Sequence, residues 1–183
     1  MIYFCADQHF GHTNIIKFCN RQFGTVDAMN RHITESWNKV VKPEDEVYIL
    51  GDLFFKLTKR AARYILSKLN GKKYIIKGNH DRTYMLNNFL NSKLVEWWKY
   101  NYDFSYEHNG KTYDFSLSHY PHYPTKGSDI ICLHGHSHGF YEIEGEYFHA
   151  PGVIDVGVDN LGYEPISIVT IIEYIEKQRG NGI

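Results

Sequence analysis

No apolar run in this 183-residue chain approaches the length of a membrane span, and no basic region precedes an apolar stretch at its N-terminus. Ile2 to Ala6 is too short for a signal peptide, so the chain is expected in the cytoplasm, with no membrane partner. Cysteine is scarce. Cys5, Cys19 and Cys132 form an odd, widely spaced set without a CxxC pair, which indicates neither a disulfide framework nor a thiolate metal site. Cys5 and Cys132 sit inside strand-like runs and read as small buried apolar residues. Excess charge of one sign is also missing. A formal net charge of −1 gives no strong footprint for nucleic acid and leaves only a local basic groove open. There is no linker, low-complexity stretch or internal repeat. With 43% apolar and 22% charged residues, the chain is expected to form one domain over residues 1–183. Its fifteen Tyr and eleven Phe scatter without a period and read as core and shallow surface, not as a stacking platform.

What is present is a set of five strand-like runs, each ending on groups that ligate metals. Ile2 to Ala6 leads into Asp7 and His9, and Val47 to Leu50 into Gly51-Asp52. Tyr74 to Lys77 leads into Gly78-Asn79-His80-Asp81. Phe115 to Ser118 leads into His119, and Ile130 to Leu133 into His134-Gly135-His136-Ser137-His138. Sites in open α/β sheets form beyond the carboxyl ends of strands, so one sheet edge could gather enough donors for two divalent ions.

Helical spacing falls between these runs. Asn14 to Phe18 predicts a short turn. Val26, Met29, Ile33, Trp37 and Val40 predict a helix over about 26–41, with Thr25 as N-cap and Pro43 beyond its end. Ala61, Ala62, Ile65, Leu66 and Leu69 predict a second helix stopped at Gly71, and Thr83 to Leu90 a third. Leu94 to Trp98 is a short apolar run. Asn109-Gly110, between alternating stretches at 102–107 and 111–118, is the strongest hairpin signal. A second hairpin is expected from Phe140 to Ile143 and Tyr147 to Ala150 through Gly145, then a strand at Val153 to Val156. Ile168, Ile171, Ile172 and Ile175 mark a C-terminal helix. The expected class is α/β (α+β): a two-layer β-sandwich flanked by helices, in αββα order, with the site at the shared rim.

In an extended segment, residues two apart share a side, so Asp7 with His9, and His136 with His138, could each grip metal from one short stretch. His and carboxylate donors without Cys favour Mn, Fe, Zn, Ni or Co over Mg or Ca. Two such ions ~3.5–4 Å apart would clamp both oxygens of an in-line displacement at phosphorus. Asp7-x-His9, Gly51-Asp52, Gly78-Asn79-His80-Asp81, His119 and Gly135-His136-Ser137-His138 resemble, in order, the motifs of calcineurin-like metallophosphoesterases. The resemblance spans residues 2 to 138. It is strongest to small single-domain bacterial and phage members, in which Asp7-Gln8-His9-Phe10-Gly11-His12 continues into Asn14-Ile15-Ile16.

That resemblance implies that Asp7, His9 and His138 bind a first metal, that Asp52 bridges, and that Asn79, His119 and His136 complete a second site. Manganese is the expected ion. His80 would be a general acid or a donor to the phosphate, with Asp81 orienting its imidazole. The implied reaction is attack of a metal-bound hydroxide on a phosphomonoester or phosphodiester, without a phosphoenzyme. A small or nucleotide-derived substrate is preferred, because the net charge gives no long polyanion track. The rivals are a nuclease or cyclic-nucleotide phosphodiesterase, and a non-catalytic module that docks a partner at its metal rim, against which the presence of His80 counts. No ligand position departs from the pattern, but the long cap insertions of larger relatives are absent. Arg21 and Arg82 are candidate phosphate binders. His12 and Asn14 are candidates to touch substrate or brace His9. His134 is surplus to the pattern and is expected at a strand end or behind the ligands. Tyr120, His122 and Tyr123 are expected to line a pocket or shape a turn. For Asp155 and Asp159 a turn is the default, with support of His138 as the alternative.

Overall fold

A computed structural model describes residues 1–125, 127–139 and 152–180, and the backbone of 142–143 and 146–147. In chain order the elements are Ile2–Cys5 (β1), Ile15–Phe18 (α1), Val26–Val40 (α2), Glu46–Ile49 (β2), Lys59–Lys68 (α3) and Lys72–Ile76 (β3). There follow Thr83–Asn91 (α4), Trp97–Lys99 (β4), Asn101–His108 (β5), Lys111–Ser118 (β6) and Ile131–His134 (β7). Glu142–Ile143 (β8), Glu146–Tyr147 (β9), Val153–Asp155 (β10), Ile166–Ser167 (β11) and Ile168–Gly180 (α5) complete the chain. One sheet has the order β11-β1-β2-β3-β4, the other β10-β7-β6-β5, and β8 pairs with β9 alone. Strands β1 to β4 run parallel, as do β6, β7 and β10; β11 and β5 are antiparallel edges. The second expected hairpin is thus present as β8–β9; its positions 140–141, 144–145 and 148–150 lie outside the described residues.

Period-two alternation builds two cores. Cys5, Val47, Ile49 and Ile75 face the helices and pack with Ile33 and Trp37 of α2, Leu66 of α3 and Phe89 of α4. Phe4, Tyr48, Leu50 and Ile76 face the other way, meeting Phe115, Leu117, Ile131 and Leu133 of the second sheet and the apolar face of α5. The many aromatics find a purpose here. Phe4, Tyr48 and Tyr74 stand in register across neighbouring strands. Tyr48 then stacks on Phe104 of the opposite sheet, with centroids 5.7 Å apart.

The Thr25 side chain accepts a hydrogen bond from the Ala28 amide at 3.1 Å, capping α2 as expected. Thr25→Ala should cost about 1 kcal/mol, read as a fall of about 2–4 °C in Tm. Asn109 and Gly110 carry φ of 52° and 76°, the left-handed values the hairpin turn requires. Two strands escaped the sequence reading. β4 lies inside the apolar run at 94–98 and just past it, and β11 is too short for any period to show. Among the described residues no helix is long and apolar enough to cross a membrane.

Candidate metal centre

All five ligand-bearing segments leave the carboxyl ends of β1, β2, β3, β6 and β7, and they meet along one rim. The local backbone is unusual. Asp7, His9, Asp52, His136 and His138 all have positive φ, between 51° and 71°. The Asp7–His9 and His136–His138 pairs therefore converge through left-handed turns, not through the extended geometry expected. A non-glycine residue is rarely left-handed, and a cluster of such residues is strain held at a site by its surroundings. Hydrogen bonds impose it: the amides of Asp7 and His9 donate to the carbonyls of Gly51 and Asp52, and the His136 amide donates to Asp7 Oδ2 at 2.7 Å. Two glycines permit the crowding. A Cβ on Gly78 would stand 2.1 Å from Asp52 Oδ1, and one on Gly135 would stand 2.5 Å from the Ala6 Cβ.

Two of the donor clusters that result contain the ligands the resemblance implies. Asp7, His9 and His138 bring one ligand atom each within 4.8 Å of one another, as do Asp52, His119 and His136. Asn79 joins the second through Oδ1, 2.9 Å from His119 Nε2. Asp52 lies between the clusters: its Oδ2 is 3.7 Å from His9 Nε2 and 3.6 Å from His119 Nε2. The protonation pattern suits a cation. His119 Nδ1–H donates to the Leu50 carbonyl at 2.8 Å, and His138 Nδ1–H to Asp159 at 2.7 Å; in the neutral form of either ring this leaves Nε2 a bare lone pair. His119 Nε2 therefore faces the Asn79 oxygen lone pair to lone pair. Among the described residues, buried Asp7 Oδ1 and His9 Nε2 have no hydrogen-bond partner. Burial, then the nearby charges of Asp155 and Asp52, push the Asp7 carboxyl well above its ordinary value. Burial also pulls His119 down to about 4, so it stays neutral. Crowded carboxylates and orphaned lone pairs cost free energy that bound cations would relieve. The donors fit a pair of divalent ions.

The remaining candidates divide. His80 stands on the rim, its side chain 39% exposed and its Nε2 3.8 Å from Asp52 Oδ2. The Asp81 carboxylate was expected at the His80 imidazole, but its Oδ2 accepts from the amides of Asp52 and Gly78, at 2.8 and 2.9 Å. Only a backbone-facing orientation satisfies those two buried donors. His12 braces: its Nδ1 is 3.4 Å from His9 Nδ1, and its ring stacks on Phe55. Asn14 sits at the N-cap of α1 without a side-chain cap bond. His134 ends β7, its Nδ1–H donating to the Gly135 carbonyl. His122 shapes its turn through Ser118 and Ser116, while Tyr120 sets its ring against His136. Arg82 is exposed and lines the cleft that contains His80.

Arg21 is a correction. Its side chain is fully buried, with Nε and Nη2 forked onto Asp159 at 2.7 and 2.8 Å and further bonds to the carbonyls of Gln8 and Asp7. The fifth N–H, on Nη1, points at Met29 Sδ at 3.5 Å, so no donor remains to reach a phosphate. Arg21 and Asp159 instead form the strut that holds His138. Burial alone would raise the Asp159 carboxyl, but the hydrogen bonds from His138 and Arg21 outweigh it and hold it below the ordinary value. Asp155 restrains the same loop, accepting from Ser137 Oγ and the Gly139 amide. The alternative reading of Asp159 is therefore the one observed. Asp159→Asn should weaken Mn2+ affinity by about 10–100-fold, measured by calorimetric titration. Unchanged affinity would remove Asp159 from the support of His138.

The model of the calcineurin-like phosphoesterase family matches residues 1–162. The chain belongs to that family. Its members are generally hydrolases that act on phosphate esters and bind divalent metals. This member is 37% identical to protein MJ1445 of Methanocaldococcus jannaschii over 179 residues, covering 96% of this chain and 92% of the relative. It is 26% identical to the Gene 66 protein of Mycobacterium phage L5 over 203 residues, covering 97% of each. Among solved structures it resembles protein AQ665 of Aquifex aeolicus, with a TM-score of 0.69 and 27% identity over 96% of this chain and 99% of that one.

Proposed function

We propose that the protein is a dinuclear metal-dependent phosphohydrolase acting on a phosphomonoester or phosphodiester, with manganese the preferred ion and a small or nucleotide-derived substrate preferred. The observation that carries this reading is Asp52 Oδ2, set almost equally far from the Nε2 atoms of His9 and His119, at 3.7 and 3.6 Å. One ion would be held by Asp7, His9 and His138, the other by Asn79, His119 and His136, with Asp52 shared. When bound, the ions supply Lewis acidity toward water and neutralise charge on phosphoryl oxygens.

The chain's own groups do the rest. Asp159 and the Leu50 carbonyl fix the tautomers of His138 and His119, so each presents a lone pair without reorganising. Asp81 pins the backbone of Asp52 and so sets the shared carboxylate. The Asp52 Oδ1 in turn accepts from the His80 amide at 2.9 Å, fixing the base of the His80 side chain. Phe55 lies edge-on to the His80 ring, with centroids 5.1 Å apart, and limits its rotation. From there His80 can deliver a proton to the departing ester oxygen, or donate to a phosphoryl oxygen as charge builds on it. Asp81 is a positioning residue in this scheme.

The test compares nitrophenyl phosphate with bis(nitrophenyl) phosphate using metal-loaded protein. Hydrolysis of at least one ester, abolished by EDTA and restored by Mn2+, is expected. No hydrolysis of any ester with Mn, Fe, Zn, Ni or Co would overturn the reading and favour a docking module.

A further inference from the structure

A net charge of −1 conceals a strong segregation of charge. Residues 53–95 carry ten of the chain's 20 Lys and Arg but only one of its 21 acids, Asp81, which is buried. The rest of the chain is correspondingly acidic. Lys56, Lys59, Arg60, Arg63 and Arg82 of this segment are all exposed. Among the described residues none of the five forms an ion pair, whereas Lys39, Lys111 and Arg179 elsewhere on the surface do. On α3, Lys59 and Arg60 lie four and three residues before Arg63, so like charges crowd one helix face with nothing internal to offset them.

The placement of these cations is continuous with the metal rim. Lys56 and Arg82 line a cleft of about 150 Å³ that contains His80. Tyr84 belongs to the same cleft, and Lys59 Nζ lies 5.4 Å from its ring centroid. Lys59 then opens a groove of about 550 Å³ between α3 and α4, lined by Arg60, Arg63 and Tyr64. Tyr64 and Tyr84 are 64% and 50% exposed. A row of unpaired cations interleaved with exposed planar rings fits a flexible polyanion whose bases can stack. A duplex cannot offer its bases to those rings.

We infer that the α3–α4 face binds single-stranded nucleic acid and leads it to His80, so that the ester hydrolysed is a backbone phosphodiester. The inference rests on the phosphohydrolase reading for the fate of the strand, but binding is measured without metal. Fluorescence anisotropy of labelled oligo(dT) in EDTA should show binding whose logarithm falls with log salt at a slope of about −3, as four neutralised phosphates give. Arg60→Glu combined with Arg63→Glu, with unchanged circular dichroism, should weaken binding at least ~10-fold and make the slope shallower by about 1–2. No binding by the parent protein, or binding indifferent to both salt and the charge reversals, overturns the inference. Binding to phosphatidylserine vesicles but not to oligo(dT) also overturns it. Hydrolysis of bis(nitrophenyl) phosphate by the same preparation reports separately on the phosphohydrolase reading.

Discussion

Replacing Asp52 by Asn should cut metal content from two ions per chain to one or none and lower turnover by at least ~10³-fold. Asp52 uses both oxygens for different tasks. Oδ1 accepts the His80 amide, and Oδ2 faces the Nε2 atoms of His9 and His119. An amide supplies one oxygen and one NH2. If the NH2 takes the Oδ1 place, it opposes the His80 N–H; if it takes the Oδ2 place, it would point a donor at the two cations proposed to share Asp52. Either way the shared anion is lost, and losing several kcal/mol of charge stabilisation corresponds to about three decades in rate. Stability should move the other way. Burial raises the Asp52 carboxyl, so its charge is a cost to the metal-free fold. The metal-free variant should melt at or above the parent's Tm. Elemental analysis with kcat on a nitrophenyl ester checks the first part. Full activity in Asp52→Asn would mean the ligand assignment is wrong.

His80→Ala should separate chemistry from binding. The His80 backbone amide that braces Asp52 survives the substitution, and its imidazole belongs to neither donor cluster. Metal content should therefore stay at the parent's level while kcat falls by roughly 10²–10⁴-fold, the usual worth of a positioned acid. The loss should grow with the pKa of the leaving group. Nitrophenolate departs without a proton, whereas an alkoxide does not. An equal loss across leaving groups would make His80 a phosphate donor only, and loss of metal would make it a ligand.

Much of this architecture can be read from the sequence because apolar runs and helical spacing rarely coincide with ligand chemistry by accident. Continuous apolar runs such as Val47 to Leu50 identify strands buried on both faces, and helical spacing at Ile33 and Trp37 identifies α2. The residues after each strand then fall where open sheets place their sites. What the sequence hides is long-range or conformational. Nothing in Asp7-x-His9 distinguishes an extended pair from two left-handed residues, because carbonyls on the neighbouring β2 segment impose the turn. Arg21 carries the chemistry of a phosphate binder, yet burial beside Asp159, 138 residues away, commits it to a strut. Asp155 and Asp159 have the composition of an ordinary turn, and only their hydrogen bonds from Ser137, His138 and Gly139 make them supports. Bulk net charge averages over the cationic α3–α4 face and the acidic remainder, and so argues against a polyanion track although ten of the chain's 20 Lys and Arg fall within residues 53–95.

Anomalous diffraction at the manganese edge, from crystals grown with Mn2+, tests the central claim most directly. Two peaks should flank Asp52, one among Asp7, His9 and His138 and the other among Asn79, His119 and His136. No peak at the rim, or a lone ion that does not touch Asp52, would contradict the account.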